Sequence, residues 1–254
     1  MTTVFSLREV TLGYDDRRPA VSGLSGCFAS GSLTAIVGPN GGGKSTLLKG
    51  LVGLLAPLQG RLERGDLDPT DIAYLPQQAE IDRGFPVSVI DTVILGHWRK
   101  IGLFHPVSRA LRQRAEQALE AVGLDRLARR PIGALSAGQF QRVLFARMLV
   151  QDCAVMLLDE PFAAIDARTT ADLLQIVTGW HDEGRTVVAV LHDVDQVREH
   201  FPDTLLLARE SLAWGASTDV LQDRRLRQAR QMAQAWDDRP APYDQDAAWP
   251  STPR

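Results

Sequence analysis

Short apolar runs alternate along this chain with segments of helical period, and the alternation predicts an α/β architecture. Residues 154–158 and 186–191 are continuous apolar runs, the pattern of strands covered on both faces. Between them, residues 167–182 carry Leu173, Leu174, Ile176, Val177 and Trp180 along one side of a predicted helix, which Gly184 ends. Near the start, residues 5–14 and 23–28 read as strands and predict an antiparallel β region. Ile36 and Val37 lead into a glycine-rich turn, and a helix follows from Ser45 to about Leu55, where Pro57 and Gly60 break the pattern. Another strand ends at residues 72–75.

From Phe85 to about Val150 the character becomes helical. Ser108 has the position of an N-cap, and Leu111, Ala115, Ala118, Leu119 and Val122 share a face before Gly123 stops the helix. A second helix, following residues 135–139, carries Phe140, Val143, Leu144 and Met148. The sequence thus predicts one domain over residues 1–236. Its core spans about 1–82 and 152–215, with a helical subdomain inserted at about 83–151. A hairpin over 204–214 and a terminal helix over about 219–236 complete it, and the Pro-, Asp- and Ala-rich residues 237–254 form a mobile tail.

Composition narrows the function. With a formal net charge of −3, no nucleic-acid or anionic-membrane partner held by bulk electrostatics is expected. No apolar run approaches the length of a membrane span, and the first residues have neither the basic start nor the apolar centre of a signal peptide. A cytoplasmic chain is expected. Cys27 and Cys153 lie in apolar patterns and read as buried, inert thiols. The four arginines of residues 224–230 read as a solvated helix face.

The chemistry begins at Gly38, Pro39, Asn40, Gly41, Gly42, Gly43, Lys44 and Ser45, which fit G-x-x-x-x-G-K-[ST] between a strand and a helix. Glycines let successive N–H groups converge on one anion, and the following helix start adds partial positive charge. Lys44 can reach the β- and γ-phosphates, and the Ser45 hydroxyl can ligate Mg²⁺. Nucleoside triphosphate binding follows. Asp159 and Glu160 end one apolar strand and His192 ends another, so three strands deliver polar residues to their carboxyl ends, where open parallel sheets bind ligands.

In order, and across nearly the whole chain, these motifs resemble the ATPase subunits of ATP-binding cassette (ABC) transporters. The resemblance rests on GPNGGGKS (38–45), LPQ (75–77), LSAGQ (135–139), MLLDEP (156–161), AID (164–166) and His192. LSAGQ discriminates, because P-loop enzymes in general lack it. FPVSVIDTVILG (85–96) and VREHFPDTLLL (197–207) resemble more particularly the zinc/manganese branch of metal importers. One departure is Ala137, where the family has its first signature glycine. A methyl group there excludes glycine-only torsions but leaves helical-start geometry open, so function is expected to be kept.

The resemblance implies a P-loop NTPase fold: a mostly parallel core sheet, an N-terminal antiparallel β region and the inserted helical subdomain. It also implies a division of labour among the residues. Thr46 would lie beside the α-phosphate, Tyr14 would stack on adenine (ordinary strand-end packing is the alternative), and Asp159 would face the Mg²⁺ shell alongside Ser45. Glu160 would polarise the attacking water, Gln77 would sense Mg²⁺ and water, and His192 would contact the γ-phosphate and orient Glu160. Ser136, Ala137, Gly138 and Gln139 would meet ATP bound to the opposite subunit of a head-to-tail homodimer, with Asp166 at the seam. Implied partners are integral-membrane permease subunits and, indirectly, a periplasmic or extracellular metal-binding protein. The chain itself would sit at the cytoplasmic face of the plasma membrane. Phe85, Val87, Leu95, Trp98 and Phe104 are candidates for the apolar seat of a permease helix. A zinc site at His97 and His105 is rejected, since no Cys/His cluster surrounds them. The cargo implied is zinc, with manganese or an iron chelate as alternatives; a soluble, non-transport cassette ATPase is the rival of a different class.

Overall fold

The computed structural model describes residues 2–15, 17–77, 84–98, 106–163 and 165–237. Gln78, Phe104, His105, Ala164 and residues 238–254 of the tail named above lie outside them.

Two sheets share the strands. The larger has six, in the order β5–β6–β7–β3–β8–β9. β3 (Leu33–Val37), β6 (Val155–Asp159) and β7 (Thr186–Val190) are buried at every position, as two-sided coverage demands. β5 (Ile72–Leu75) pairs in parallel with β6, β6 with β7, β7 with β3, and β3 with β8 (Asp203–Ala208). Only β9 (Glu210–Ala216) runs antiparallel, closing the predicted hairpin at one edge. The register brings Val37, Leu75, Asp159 and Val190 to a common end of the sheet.

The smaller sheet is antiparallel, in the order β2–β1–β4, from β1 (Thr3–Leu12), β2 (Val21–Ala29) and β4 (Gln59–Glu63). β4 was not expected. It reads QGRLE, mostly polar, because it is an edge strand with little to bury. Cys27 corrects the expectation of a buried thiol: it sits exposed on edge strand β2, whereas Cys153 is buried. Trp214 of β9 packs on Phe28 of β2 with ring centroids 4.7 Å apart, joining the two sheets.

Helices complete the layers. α1 (Lys44–Val52) buries Leu47, Leu48 and Leu51 in one apolar core shared with β1, β2 and the near faces of the large sheet. The other core lies on the opposite face. It joins α2 (Val89–Ile94), α3 (Arg109–Ala121), α4 (Ala137–Gln151) and α5 (Ala167–Asp182) to Ala35, Leu158 and Ala189 of the strands. Ser108 caps α3 as anticipated, accepting from the Leu111 amide at 3.1 Å. α6 (Val194–His200) follows β7. The terminal helix differs from expectation: a short α7 (Ser217–Val220) precedes α8 (Asp223–Asp237), because Leu221 and Gln222 turn the chain so that Val220, Leu221 and Ala229 reach the core. No described helix is long and apolar enough to cross a membrane.

Candidate functional site

The loop after β3 is shaped by backbone rather than side chains. At Gly43 φ is +89°, and a Cβ there would lie 2.3 Å from the Ala20 carbonyl oxygen. A Cβ on Gly38 would come within 1.9 Å of the Leu207 carbonyl oxygen, so the β8–β9 hairpin supports the loop from behind. Gly43 is also the N-cap of α1 and supplies no side-chain hydrogen bond, nor does the first turn contain an acid. The amides opening this helix are therefore left to an anion. Lys44 Nζ donates to the Gly38 and Pro39 carbonyls, each at 2.9 Å, and braces the loop. Burial pushes its pKa below the ordinary lysine value, against the opposing pull of Glu160 and Asp159. A buried cation ringed by open amides fits a polyphosphate. Asn40 and Gly41 lie exposed at the loop's tip; Ser45 and Thr46 are half-buried in the first turn of α1.

Asp159 is the buried last residue of β6, and Ser45 Oγ donates to its Oδ1 at 3.0 Å. Burial raises the Asp159 pKa; Glu160 adds to this, while Ser45, Lys44 and Lys49 oppose it. A hydroxyl and a buried carboxylate in contact are a donor set suited to a hard cation such as Mg²⁺. Glu160 comes next, in a left-handed conformation with φ +51° that side chains seldom adopt. Its N–H is tied to the Val190 carbonyl at 3.2 Å, and its own carbonyl accepts from Ala163 at 3.2 Å. The carboxylate is clamped from both sides. Gln77 Nε2 donates to Oε2 at 2.8 Å, and His192 Nε2 lies 2.6 Å from Oε1. Residues from the ends of β5, β6 and β7 thus converge on one carboxylate, and Lys44 lies close enough to feel its charge. The Glu160 side chain is 17% exposed against 47% for His192, so the histidine forms the wet rim.

Tyr14 is 71% exposed beyond β1, and its hydroxyl accepts from Lys49 Nζ at 2.9 Å. It is not packed at a strand end. Asp166 caps α5, accepting from the Thr169 amide at 2.9 Å and the Thr169 hydroxyl at 2.8 Å. Ser136 caps α4 in a reciprocal box with Gln139: Ser136 Oγ accepts from the Gln139 amide, and Gln139 Oε1 from the Ser136 amide. LSAGQ itself therefore makes the first turn of α4, which begins earlier than the motif's end. Ala137 is its first residue, exposed and without positive φ, so the methyl group meets no steric objection. Ser136 and Ala137 lie on the surface; the cap residues bond each other, not the P-loop.

Three features escaped the sequence. The left-handed Glu160 carries no glycine to advertise it. Tyr74 of β5 buries its hydroxyl near Asp159, and its pKa rises through burial first and the Asp159 carboxylate second. Gln141 of α4 donates through Nε2 to the Pro161 carbonyl at 3.0 Å, linking the helices to the Glu160 turn. Among the partner-seat candidates, Phe85, Leu95 and Trp98 are exposed and Val87 is half-buried against the core. His97 Nδ1 lies 3.1 Å from the Val150 carbonyl, and no three His, Cys, Asp or Glu among the described residues could hold a metal together.

A phosphate cradle, an acid pair on β6 and a helix-start signature loop define a P-loop ATPase of the cassette type. Residues 21–163 match the ABC transporter family, and the chain belongs to it as an ATP-binding, ATP-hydrolysing member. It is 41% identical over 213 residues to the manganese transport system ATP-binding protein MntB of Listeria monocytogenes, covering 82% of this chain and 88% of that protein. To the zinc transport system ATP-binding protein TroB of Treponema pallidum it is 36% identical, covering 82% and 79%. A solved inward-facing metal-chelate type ABC transporter superposes with a TM-score of 0.79 at 30% identity, over 91% of this chain and 90% of that one. A dimeric cassette with bound ADP and Pi gives 0.73 at 27% identity, over 84% and 98%.

Proposed function

We propose that the chain is the ATP-hydrolysing subunit of an importer for a divalent metal ion, zinc being the cargo. The observation that carries the catalytic part is the Glu160 carboxylate, held between Gln77 and His192 beside Lys44. The metal-transport part is supported by relatives named for metal transport systems.

Hydrolysis of a phosphoanhydride asks for positioning and charge neutralisation rather than a covalent intermediate. Lys44 and the amides of residues 41–45 bind the β- and γ-phosphates, and Thr46 lies near the α-phosphate. Mg²⁺, where bound, neutralises the charge that develops on the phosphates; Ser45 and Asp159 are the residues that would hold it. Glu160 orients a water and accepts its proton, while Gln77 and His192 fix the carboxylate's rotamer. Tyr14 offers an exposed ring for adenine, steadied by Lys49.

Ser136 and the first amides of α4 form a second, open helix start on the surface. In our reading they face ATP held by another copy, head to tail, with Asp166 near the seam. Closure on ATP and reopening after hydrolysis would drive permease subunits between two states, through differential binding of two conformations. This places the chain peripherally at the cytoplasmic face of the membrane. An extracytoplasmic metal-binding protein would act only through the permease. The chain works as one domain over residues 1–236, with a core over about 1–82 and 152–215 and a helical subdomain inserted at about 83–151.

Manganese is the second reading, favoured by the 41% identity to a manganese-system protein. Deleting the gene and restoring growth with single metals decides between the two: rescue by zinc alone supports the first, by manganese alone the second. Recovery of the tagged chain on ribosomes or DNA, without a polytopic membrane protein, would overturn transport altogether.

A further inference from the structure

A groove of about 660 Å³ runs between the end of α1, β5 and the helices, with Leu54, Tyr74, Leu95, Trp98 and Arg147 along it. Its rim is apolar and open: Leu54 is 68% exposed, Leu95 42% and Trp98 46%. Its floor is cationic. Arg147, on α4, has its Nε fully buried with no hydrogen-bond partner, and no ion pair reaches it among the described residues. Burial alone displaces its pKa, downward, with no carboxylate pulling it back. The side chain is seated here by design of the backbone: a Cβ on Gly96 would lie 2.7 Å from Arg147 Cγ and 2.6 Å from its carbonyl oxygen. Gly96 therefore clears the path along which the arginine stem lies.

A guanidinium remains charged at neutral pH, and one removed from water without a counter-ion is costly. An apolar rim around an unpaired cation is half of a docking site, the missing half being an anion flanked by apolar side chains. We propose that the permease segment seated in this groove carries an aspartate or glutamate whose carboxylate pairs with Arg147. This rests on the permease-docking reading above, and adds to it the chemistry of the docked residue.

The test uses the full-length tagged chain purified from membranes with whatever polytopic protein it retains. Arg147→Met is expected to cut the retained membrane protein at least about tenfold, as loss of one partner of a buried pair does. Its basal ATPase and its melting temperature as the isolated chain are expected to be unchanged or slightly raised, which a merely structural arginine would not give. Arg147→Lys provides the second measurement, independent of the first. Its amine is expected to form a zero-length carbodiimide cross-link to a carboxylate. Mass spectrometry is expected to map that link from residue 147 to an Asp or Glu in a cytoplasmic segment of the permease. The chain has only three native lysines, Lys44, Lys49 and Lys100, so the new link is separable from theirs. Wild-type retention by Arg147→Met, with no link through residue 147, overturns the proposal and leaves docking itself intact. If the wild-type chain retains no polytopic protein, the docking reading fails and this proposal with it.

Discussion

The chain presents two helix starts suited to phosphate, and they are built in opposite ways. At α1 the N-cap is a left-handed glycine with no side chain to spend on the helix, and a buried lysine braces the loop. At α4 the N-cap is Ser136, which satisfies its own helix through a reciprocal box with Gln139. The first start has no cap of its own; the second has part of its first turn satisfied by its own box. In the proposed function the first binds and the second is recruited. That asymmetry gives a physical reason for a nucleotide to be taken up by the P-loop first and to meet the signature loop second.

Substitutions break this comparison at different strengths. Glu160→Gln keeps both helix starts and removes the proposed proton acceptor; the rate of phosphate release is expected to fall about 10²–10⁴-fold with ATP affinity retained. The same variant, saturated with Mg·ATP, is expected to elute as a dimer in size-exclusion chromatography. Strictly monomeric elution would sink the two-copy site.

Ser136→Ala separates the two starts. A hydrogen bond to a charged group is worth about 1.5–3 kcal/mol, so turnover is expected to drop ten- to hundredfold. Nucleotide affinity of the isolated chain, measured by calorimetry, is expected to hold. Losing the cap costs about 1 kcal/mol, or roughly 2–4 °C in melting temperature. Equal losses in affinity and turnover would show the loop touches the nucleotide of its own chain.

Asp159→Asn probes the cost of readiness on the P-loop side. Its folded pKa is raised above the unfolded value, so the buried charge destabilises the ligand-free fold above that folded pKa. This penalty fades as pH falls through the folded pKa towards the ordinary carboxylate value. Melting of the nucleotide-free variant is expected to rise by a few degrees at neutral pH, with a flatter pH dependence, while Mg²⁺-dependent turnover is lost. Asp166 has the opposite sign. Its cap bonds to Thr169 lower its pKa, so its contribution is present above the ordinary carboxylate value and fades as pH falls through the lowered one. Being exposed, it is expected to give the smallest effect: Asp166→Asn leaves neutral-pH melting nearly unchanged.

The buried core strands, the cradle and the acid pair were legible because they are local: a fully buried strand followed at once by a turn reads as such from a handful of adjacent residues. Leu158 to Glu160 and Val190 to His192 both follow this rule. The rest depends on neighbours distant in sequence. Nothing in QGRLE marks it as a strand until Arg8 of β1 pairs with Arg61. Cys27 sits in an apolar neighbourhood but faces outward, since a one-residue alternation on an edge strand decides which face it takes. Glu160's left-handed turn is tied through its amide to Val190 on the adjacent strand, thirty positions away. Nothing in the sequence sets Arg147 apart from other helical cations, and only the clearance above Gly96 shows where it goes.

The amide of Gln141 holds the Pro161 carbonyl by a single neutral contact at 3.0 Å, one residue beyond Glu160. Such a tether is weak enough to let go when the helices shift, and strong enough to report that they have. Any push delivered to α4 from outside therefore reaches the chemistry within a few bonds, without a deformation of the sheet.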